Sequence, residues 1–298
     1  MPTIPIDGSN ITYEIIGSGP NLIWNAGGRE PGVSCGGILV EYLAQYFKVL
    51  LWDRRNSAGS SDIYLSQTGD PVTADANDLY DLIHKLDFAP AMIGGGSAGC
   101  GLSLMMAYLY PNEILSILAI KPFSMRKDII QHLNQITWLR LAREARLKGM
   151  KGMLEMSTKA YSKAKLGAAE QSNKTLAWLA RSIEASPSNH ERLLTLNPEK
   201  FTFMLEKWGS LSKNAQTFAG LSENMIGEVD KPVLIIPGDD SIHPRETGEW
   251  LCQKLPHARL SQMSGQNVTN AKDWQDKLFP EIKTFFSKQF LLRGRARQ

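Results

Sequence analysis

The residues Gly95-Gly96-Ser97-Ala98-Gly99 place a primary alcohol among small neighbours, between an apolar run and the helical stretch Leu102 to Leu109. A Gly-x-Ser-x-Gly corner in that setting holds its serine on a strained strand-to-helix turn, with the hydroxyl raised above a sheet. Side chains at Gly95 or Gly99 would collide with neighbouring backbone, so glycine is favoured at both. The start of the helix adds the positive end of a helix dipole. Such a hydroxyl suits nucleophilic attack on an acyl carbon, provided that a base takes its proton and amide groups meet the developing oxyanion. The Ala98 amide is one candidate donor. The segment Leu22-Ile23-Trp24-Asn25-Ala26-Gly27-Gly28-Arg29 offers a second, for which Gly28 is the best candidate.

The base must come from five histidines. His84 and His257 each precede an expected strand, so each should sit about 20 Å from the reactive edge, the length of six strand residues. His132 and His190 fall in a helical middle region, from which either could hang over the pocket and serve as base, although solvated helix faces suit them better. His243 stands in Pro237-Gly238-Asp239-Asp240-Ser241-Ile242-His243-Pro244, a loop at the same sheet edge as Ser97. Two readings stay open for it. It serves as base if its imidazole comes within about 3 Å of the Ser97 oxygen while a carboxylate holds the other nitrogen. Otherwise it helps start the helix after Pro244, or lines a pocket.

The elements that must position these residues alternate along the chain. Strands are expected at 3–6 and 11–16, joined by the turn Asp7-Gly8-Ser9-Asn10, then at 21–25 and 48–53 with an amphipathic stretch at 38–46 between them. A helix near 74–86, a strand 91–95, a helix 97–110 and a strand 116–120 follow, the rhythm of a parallel sheet. From 122 to 225 that rhythm gives way to helical segments broken near Gly149, Ser186-Pro187 and Asn197-Pro198. It resumes with a strand 233–237, a helix 245–255, a strand 258–263 and a last helix 271–286.

This order and these motifs resemble the α/β-hydrolase family over nearly the whole chain. The resemblance implies a mostly parallel eight-stranded sheet flanked by helices, with core segments 1–121 and 226–298 and an inserted helical cap at 122–225. The family's oxyanion loop usually reads His-Gly-Gly or similar, and here Ala26 takes the place of the histidine. Asp53-Arg54-Arg55-Asn56-Ser57-Ala58-Gly59-Ser60-Ser61-Asp62 resembles the Asp-x-Arg-Gly-x-Gly-x-Ser loop, with Asn56 where a glycine is usual. Asparagine tolerates left-handed backbone, so the loop is read as scaffold. The family places its triad acid after the seventh strand, which points to Asp240, with Asp239 as the adjacent alternative. The triad histidine should follow the eighth strand, yet the chain reads Ser264-Gly265-Gln266-Asn267 and has no histidine beyond His257. Gln266 cannot accept the Ser97 proton, because an amide does not titrate near neutrality.

Three functions fit. The first is a cofactor-independent hydrolase or relative acting through Ser97 on a small, mostly apolar ester, lactone or ketone, with an atypical or missing histidine. The second is a hydrolase-fold binding protein that senses or sequesters a ligand, and the third a lyase-type enzyme using Ser97 and His243 as proton relays. Met150, Met153 and Met156 recur at helical spacing and fit either cap core or an adaptable apolar wall. Trp24 is a candidate aromatic wall near the oxyanion loop.

The bulk composition narrows the partners. A formal charge of +3 over 298 residues, with basic residues spread along the chain, does not point to nucleic acid. Only Arg293, Arg295 and Arg297 form a basic cluster, read as a solvated terminus. Cys35, Cys100 and Cys252 show no paired or metal-binding spacing, which suits reduced thiols, and no signal peptide or membrane-length apolar run is visible. A cytoplasmic location, no metal, no cofactor and no membrane partner are therefore expected, with oligomeric state open.

Overall fold

The computed structural model describes residues 1–28, 32–33, 37–55, 71–166, 176–185, 187, 189–210, 217–264, 272 and 274–296. The expected hairpin opens the chain as β1 (Thr3–Ile6) and β2 (Ser9–Ile16), then come β3 (Asn21–Asn25), α1 (Gly37–Leu43), β4 (Lys48–Trp52) and α2 (Pro71–Lys85). The elbow lies between β5 (Ala91–Gly96) and α3 (Ala98–Leu109), and β6 (Ile114–Ile120) follows. Next are α4 (Lys127–Asn134), α5 (Arg140–Lys165), α6 (Trp178–Ala185), α7 (Asn189–Leu194) and α8 (Pro198–Ser210). The short hairpin β7 (Thr217–Phe218) and β8 (Leu221–Ser222) leads into α9 (Glu223–Gly227), β9 (Val233–Ile236), α10 (Arg245–Lys254), β10 (Ala258–Leu260) and α11 (Phe279–Ala296).

Eight strands form one sheet in the order β1-β2-β4-β3-β5-β6-β9-β10. The first two junctions are antiparallel and all the others parallel. Both faces are buried, as strand alternation requires of a sheet covered on each side. Ile23, Leu50, Trp52, Ile117, Ala119 and Ile235 point into one cluster with α2, α3 and α10. Their chain neighbours Leu22, Trp24, Val49, Leu51, Leu118, Ile120, Leu234 and Ile236 point into the opposite cluster with α1 and α11. A one-residue shift in any of these strands would exchange its two faces, so the register is strongly specified.

That alternation corrects one expectation. Trp24 is 7 % exposed and packs in the face shared with α1 and α11, so it is a core residue and not a pocket wall. Its ring fills the space beside Gly94, where an added Cβ would lie 3.0 Å from a ring carbon.

The helices between β6 and β9 carry a hydrophobic cluster of their own, built from Leu141, Ala145, Met150, Met153, Leu193, Phe201 and Leu205 among others. Met150 and Met153 are buried there and Met156 packs against them, so core packing accounts for all three. The expected break near Gly149 is a kink inside α5, where that residue takes φ 67°. Phe218, Leu221 and Ile226, at the end of this stretch, belong instead to the cluster on the sheet.

Candidate active site

Ser97 sits between the last residue of β5 and the first of α3, with φ 53° and ψ −116°. This is left-handed backbone at a non-glycine residue, which persists only where surroundings impose it. The surroundings are visible. The Ser97 amide donates to the Ile120 carbonyl at 2.9 Å, and the Ser97 carbonyl accepts from the Cys100 amide at 3.0 Å. A Cβ on Gly95 would meet the Gly99 carbonyl carbon at 2.5 Å, and one on Gly99 would meet the Asn25 carbonyl oxygen at 2.3 Å. Both outer glycines are therefore required by close backbone approach.

Behind the corner runs a chain of buried polar groups. The Trp52 indole nitrogen donates to Asn25 Oδ1 at 2.9 Å, Asn25 Nδ2 donates to Ser103 Oγ at 3.0 Å, and Ser103 Oγ donates to the Gly99 carbonyl at 2.8 Å. It ties the end of β3 to the first turn of α3, so the loop after Asn25 and the elbow share one support. Cys100 lies in the same place, its thiol within 3.2 Å of the Gly95 and Ile120 carbonyls. Burial pushes that thiol well above its ordinary range and leaves it inert. Cys252 is also a free thiol, and Cys35 lies outside the described residues.

The loop after β9 brings its two functional groups to Ser97. His243 Nε2 is 2.9 Å from Ser97 Oγ. His243 Nδ1 is 3.1 Å from each oxygen of Asp240. The same carboxylate accepts the amides of Ile242 and His243 at 2.8 and 2.7 Å, which turns the loop tightly enough for residues 240 and 243 to face each other. Gly238 makes room for this: an added Cβ there would lie 2.2 Å from the His243 carbonyl oxygen and 2.6 Å from its Cβ. The loop is also held by the segment after β6, where the Ser124 amide donates to the Ile242 carbonyl at 2.6 Å.

Burial alone would raise the Asp240 carboxyl, but hydrogen bonds from the His243 ring and from the His243 and Ile242 amides outweigh it and hold the group below the usual carboxylate range. The adjacent Asp239 accepts instead from Ser264 Oγ at 2.7 Å. Geometry thus separates the two aspartates that the sequence left as alternatives. Gln266 lies outside the described residues, two positions beyond Ser264.

The remaining histidines are elsewhere. The side chains of His84, His190 and His257 are 46 %, 51 % and 60 % exposed, each beside an acidic partner, and His132 is exposed on α4. His243, at 17 %, is the one placed beside the serine.

On the other flank of the elbow, Gly27 passes so close that an added Cβ would meet Ser97 Cβ at 3.3 Å. Gly28 has φ 52°, left-handed backbone that suits glycine. Ala98, as the first residue of α3, has an amide with no acceptor within its own helix. The Asp53-Arg54-Arg55 segment ties neighbouring segments together, as a scaffold does. Asp53 Oδ1 accepts the Val33 amide at 3.0 Å, Arg54 donates to the Ala26 and Gly28 carbonyls, and Arg55 forms a buried ion pair with Asp78. Residues 56–62 lie outside the described residues.

A sequence model of the alpha/beta hydrolase fold matches residues 26–266. The chain belongs to the alpha/beta hydrolase fold family. Among curated relatives of this hydrolase-fold chain, the uncharacterized hydrolase YraK of Bacillus subtilis (strain 168) is 25 % identical over 169 residues, 55 % of this chain and 60 % of YraK. The chain thus matches less than two thirds of that relative's length. A hydrolase from Pseudomonas aeruginosa PA01 superposes with a TM-score of 0.64 at 17 % identity, over 95 % of this chain and 97 % of that one. The enol-lactonase from Burkholderia xenovorans LB400 gives a TM-score of 0.60 at 19 % identity, over 96 % of this chain and all of that one. At such identities the likeness is one of fold.

An open groove of about 790 Å³ reaches Asp239 and Asp240, walled by Met125, Arg126, Pro244, Arg245 and Trp250. Among the described residues, no group of three or more His, Cys, Asp or Glu side chains could hold a metal ion, and no helix is long and apolar enough to cross a membrane.

Proposed function

We propose that this hydrolase-fold protein cleaves a small, mostly apolar ester or lactone through Ser97, with His243 as base and Asp240 as its orienting acid. The observation that carries the reading is a single imidazole 2.9 Å from a strained serine hydroxyl and 3.1 Å from a carboxylate. With its proton on Nδ1, the ring donates to Asp240 and leaves the Nε2 lone pair for the Ser97 proton. The lactonase and hydrolases among the structural neighbours support the substrate class at the level of acyl transfer. The helices of 122–225 serve as the cap that filters substrate.

In acylation, Ser97 Oγ attacks the carbonyl carbon as its proton passes to His243 Nε2. The tetrahedral oxyanion takes the amides of Gly28 and Ala98, donors of a kind worth about 2.7 to 4 kcal/mol each in a transition state. Collapse expels the alkoxide, which takes the proton from His243. Water then gives its proton to His243 and attacks the acyl-serine, and the carboxylic acid leaves as Ser97 recovers its proton. Asp240, kept ionised by its amide donors, stabilises the imidazolium in both halves. Gln266 takes no part in proton transfer.

The test is labelling by a fluorophosphonate together with p-nitrophenyl butyrate hydrolysis. Ser97-dependent labelling and turnover, both lost in His243→Ala, are expected. An unlabelled Ser97 with no turnover would favour a ligand-binding scaffold.

A further inference from the structure

Arg54 lies beside the glycine-rich half of the proposed oxyanion hole and holds it by its carbonyls. We propose that Arg54 is a positioning residue for the Gly28 amide, setting the orientation of that donor and thereby the rate of the acyl-transfer step. The inference rests on the reading of Ser97 as nucleophile.

The need for a clamp follows from the loop's composition. Two consecutive glycines, Gly27 and Gly28, carry the chain past the elbow, and glycine backbone has more freedom to reorient than any other. A preorganised donor must not reorient, since its advantage over water lies in paying no reorganisation when charge develops. Arg54 Nη2 donates to the Ala26 carbonyl at 3.0 Å and also to the Gly28 carbonyl. Because each peptide unit is planar with its C=O and N–H opposed, fixing these two carbonyls fixes the planes on both sides of the Gly27–Gly28 peptide. The Gly28 N–H lies in that middle plane and is constrained from both ends.

The guanidinium is itself held still. Arg54 is 6 % exposed, and its Nη1 lies 3.7 Å from an oxygen of Asp75, a buried residue of α2. Its planar fork serves two acceptors and the carboxylate at once, a geometry that a lysine ammonium does not reproduce. Asn25, just before the clamped residues, is fixed by Trp52 and Ser103, so the segment is anchored at Asn25 and gripped at Ala26 and Gly28.

The experiment compares wild type, Ser97→Ala, Arg54→Met, Arg54→Lys and Asp75→Asn on p-nitrophenyl butyrate, with inhibition by an alkyl trifluoromethyl ketone as the transition-state probe and thermal melting as the fold check. Arg54→Met is expected to lower kcat about 10- to 100-fold, as small misplacements of catalytic groups do, with KM changed less than about threefold. Trifluoromethyl ketone affinity should fall in parallel with kcat/KM. Arg54→Lys should fall between wild type and Arg54→Met. Asp75→Asn, which leaves both carbonyl contacts in place but loosens the guanidinium, should lower kcat clearly less than Arg54→Met does, even where it lowers the melting temperature as much.

A purely structural ion pair gives a different pattern: Asp75→Asn and Arg54→Met would lose stability alike, and the folded fraction of each would retain wild-type kcat. That result overturns the proposal. Should Arg54→Met not fold, Arg54→Lys decides, since wild-type kcat and wild-type ketone affinity in a folded Arg54→Lys overturn it equally. Absence of Ser97-dependent turnover in wild type would instead show that the underlying reading is wrong, and the inference would fall with it.

Discussion

His243 Nε2 lies 2.9 Å from Ser97 Oγ although the two residues are 146 positions apart, and His243 shares its loop with Asp240, three residues earlier. In the proposed site, a base and its orienting acid on one short loop move as a unit. Their mutual geometry depends on the turn made by the Ile242 and His243 amides and not on the packing of two separate segments.

His243→Ala should therefore remove turnover as fully as Ser97→Ala, by about 10⁴-fold or more in kcat, since members of such a unit are not additive. Steady-state ester hydrolysis by the two single variants and the double variant checks this. A double variant far worse than either single one would show that the residues act independently.

The same geometry bears on the position where the histidine is missing. With His243 at hydrogen-bond distance from Ser97, Gln266→His should raise the esterase rate by no more than about threefold, because the base position is already filled. A gain of about a hundredfold or more would mean that His243 is not the working base.

Gly238→Ala should cost activity before it costs the fold. The new Cβ would lie 2.2 Å from the His243 carbonyl oxygen, so the loop must open at the residue that carries the base. A fall of about 10²-fold in kcat is expected for a displacement of about 1 Å. Circular dichroism should remain that of wild type.

The buried chain behind the elbow predicts a stability effect. Asn25→Ala leaves the Trp52 indole N–H without its acceptor and Ser103 without its donor, and each unsatisfied buried group costs about 1–3 kcal/mol. Urea denaturation should show a loss of at least about 2 kcal/mol. A loss under about 0.5 kcal/mol would show that water or neighbouring groups replace the bonds.

The sequence carried the sheet well because both faces are buried: Leu22, Ile23 and Trp24, or Leu234, Ile235 and Ile236, are apolar at every position, and such runs are hard to mistake. Ends were less legible. β10 stops at Leu260 where the pattern predicts Met263, and the last helix, which already winds as a π-turn over Trp274–Leu278 before α11, runs on to Ala296, beyond the expected end at Phe286. Ser97 could be read from its glycine neighbours, since the collisions that require them are local. The Asp240 to His243 turn left a signal, two carboxylates and an imidazole at one sheet edge, but its closure depends on backbone amides that carry no side-chain pattern. The loop from Asp53 is legible as scaffold from its likeness to the family's loop, but the bonds of Arg54 to carbonyls 28 and 26 residues away have no expression in residue type. Trp24 failed for the opposite reason: nearness in sequence to the oxyanion loop says nothing of which face its strand position points to.

Asp240→Asn tests the acid in two ways. An amide at this position can donate to Nδ1 and favour the wrong tautomer, so kcat should fall about 10⁴-fold while KM changes little. Asp239→Asn, whose amide oxygen can still accept from Ser264, should stay within about tenfold. The second readout is stability against pH. The native Asp240 carboxyl titrates below its ordinary value of 3.8, so the folded state binds its proton less readily than the unfolded chain. Stability from this group is thus fully present above that ordinary value and is lost as pH falls through the native one. The side chain is 38 % exposed, so solvent weakens the effect and a small shift in melting temperature is expected. Wild type should melt above Asp240→Asn at about pH 5, and the margin should shrink below about pH 4. A margin that instead widens toward low pH would mean that burial, and not the His243 and Ile242 donors, governs this carboxylate.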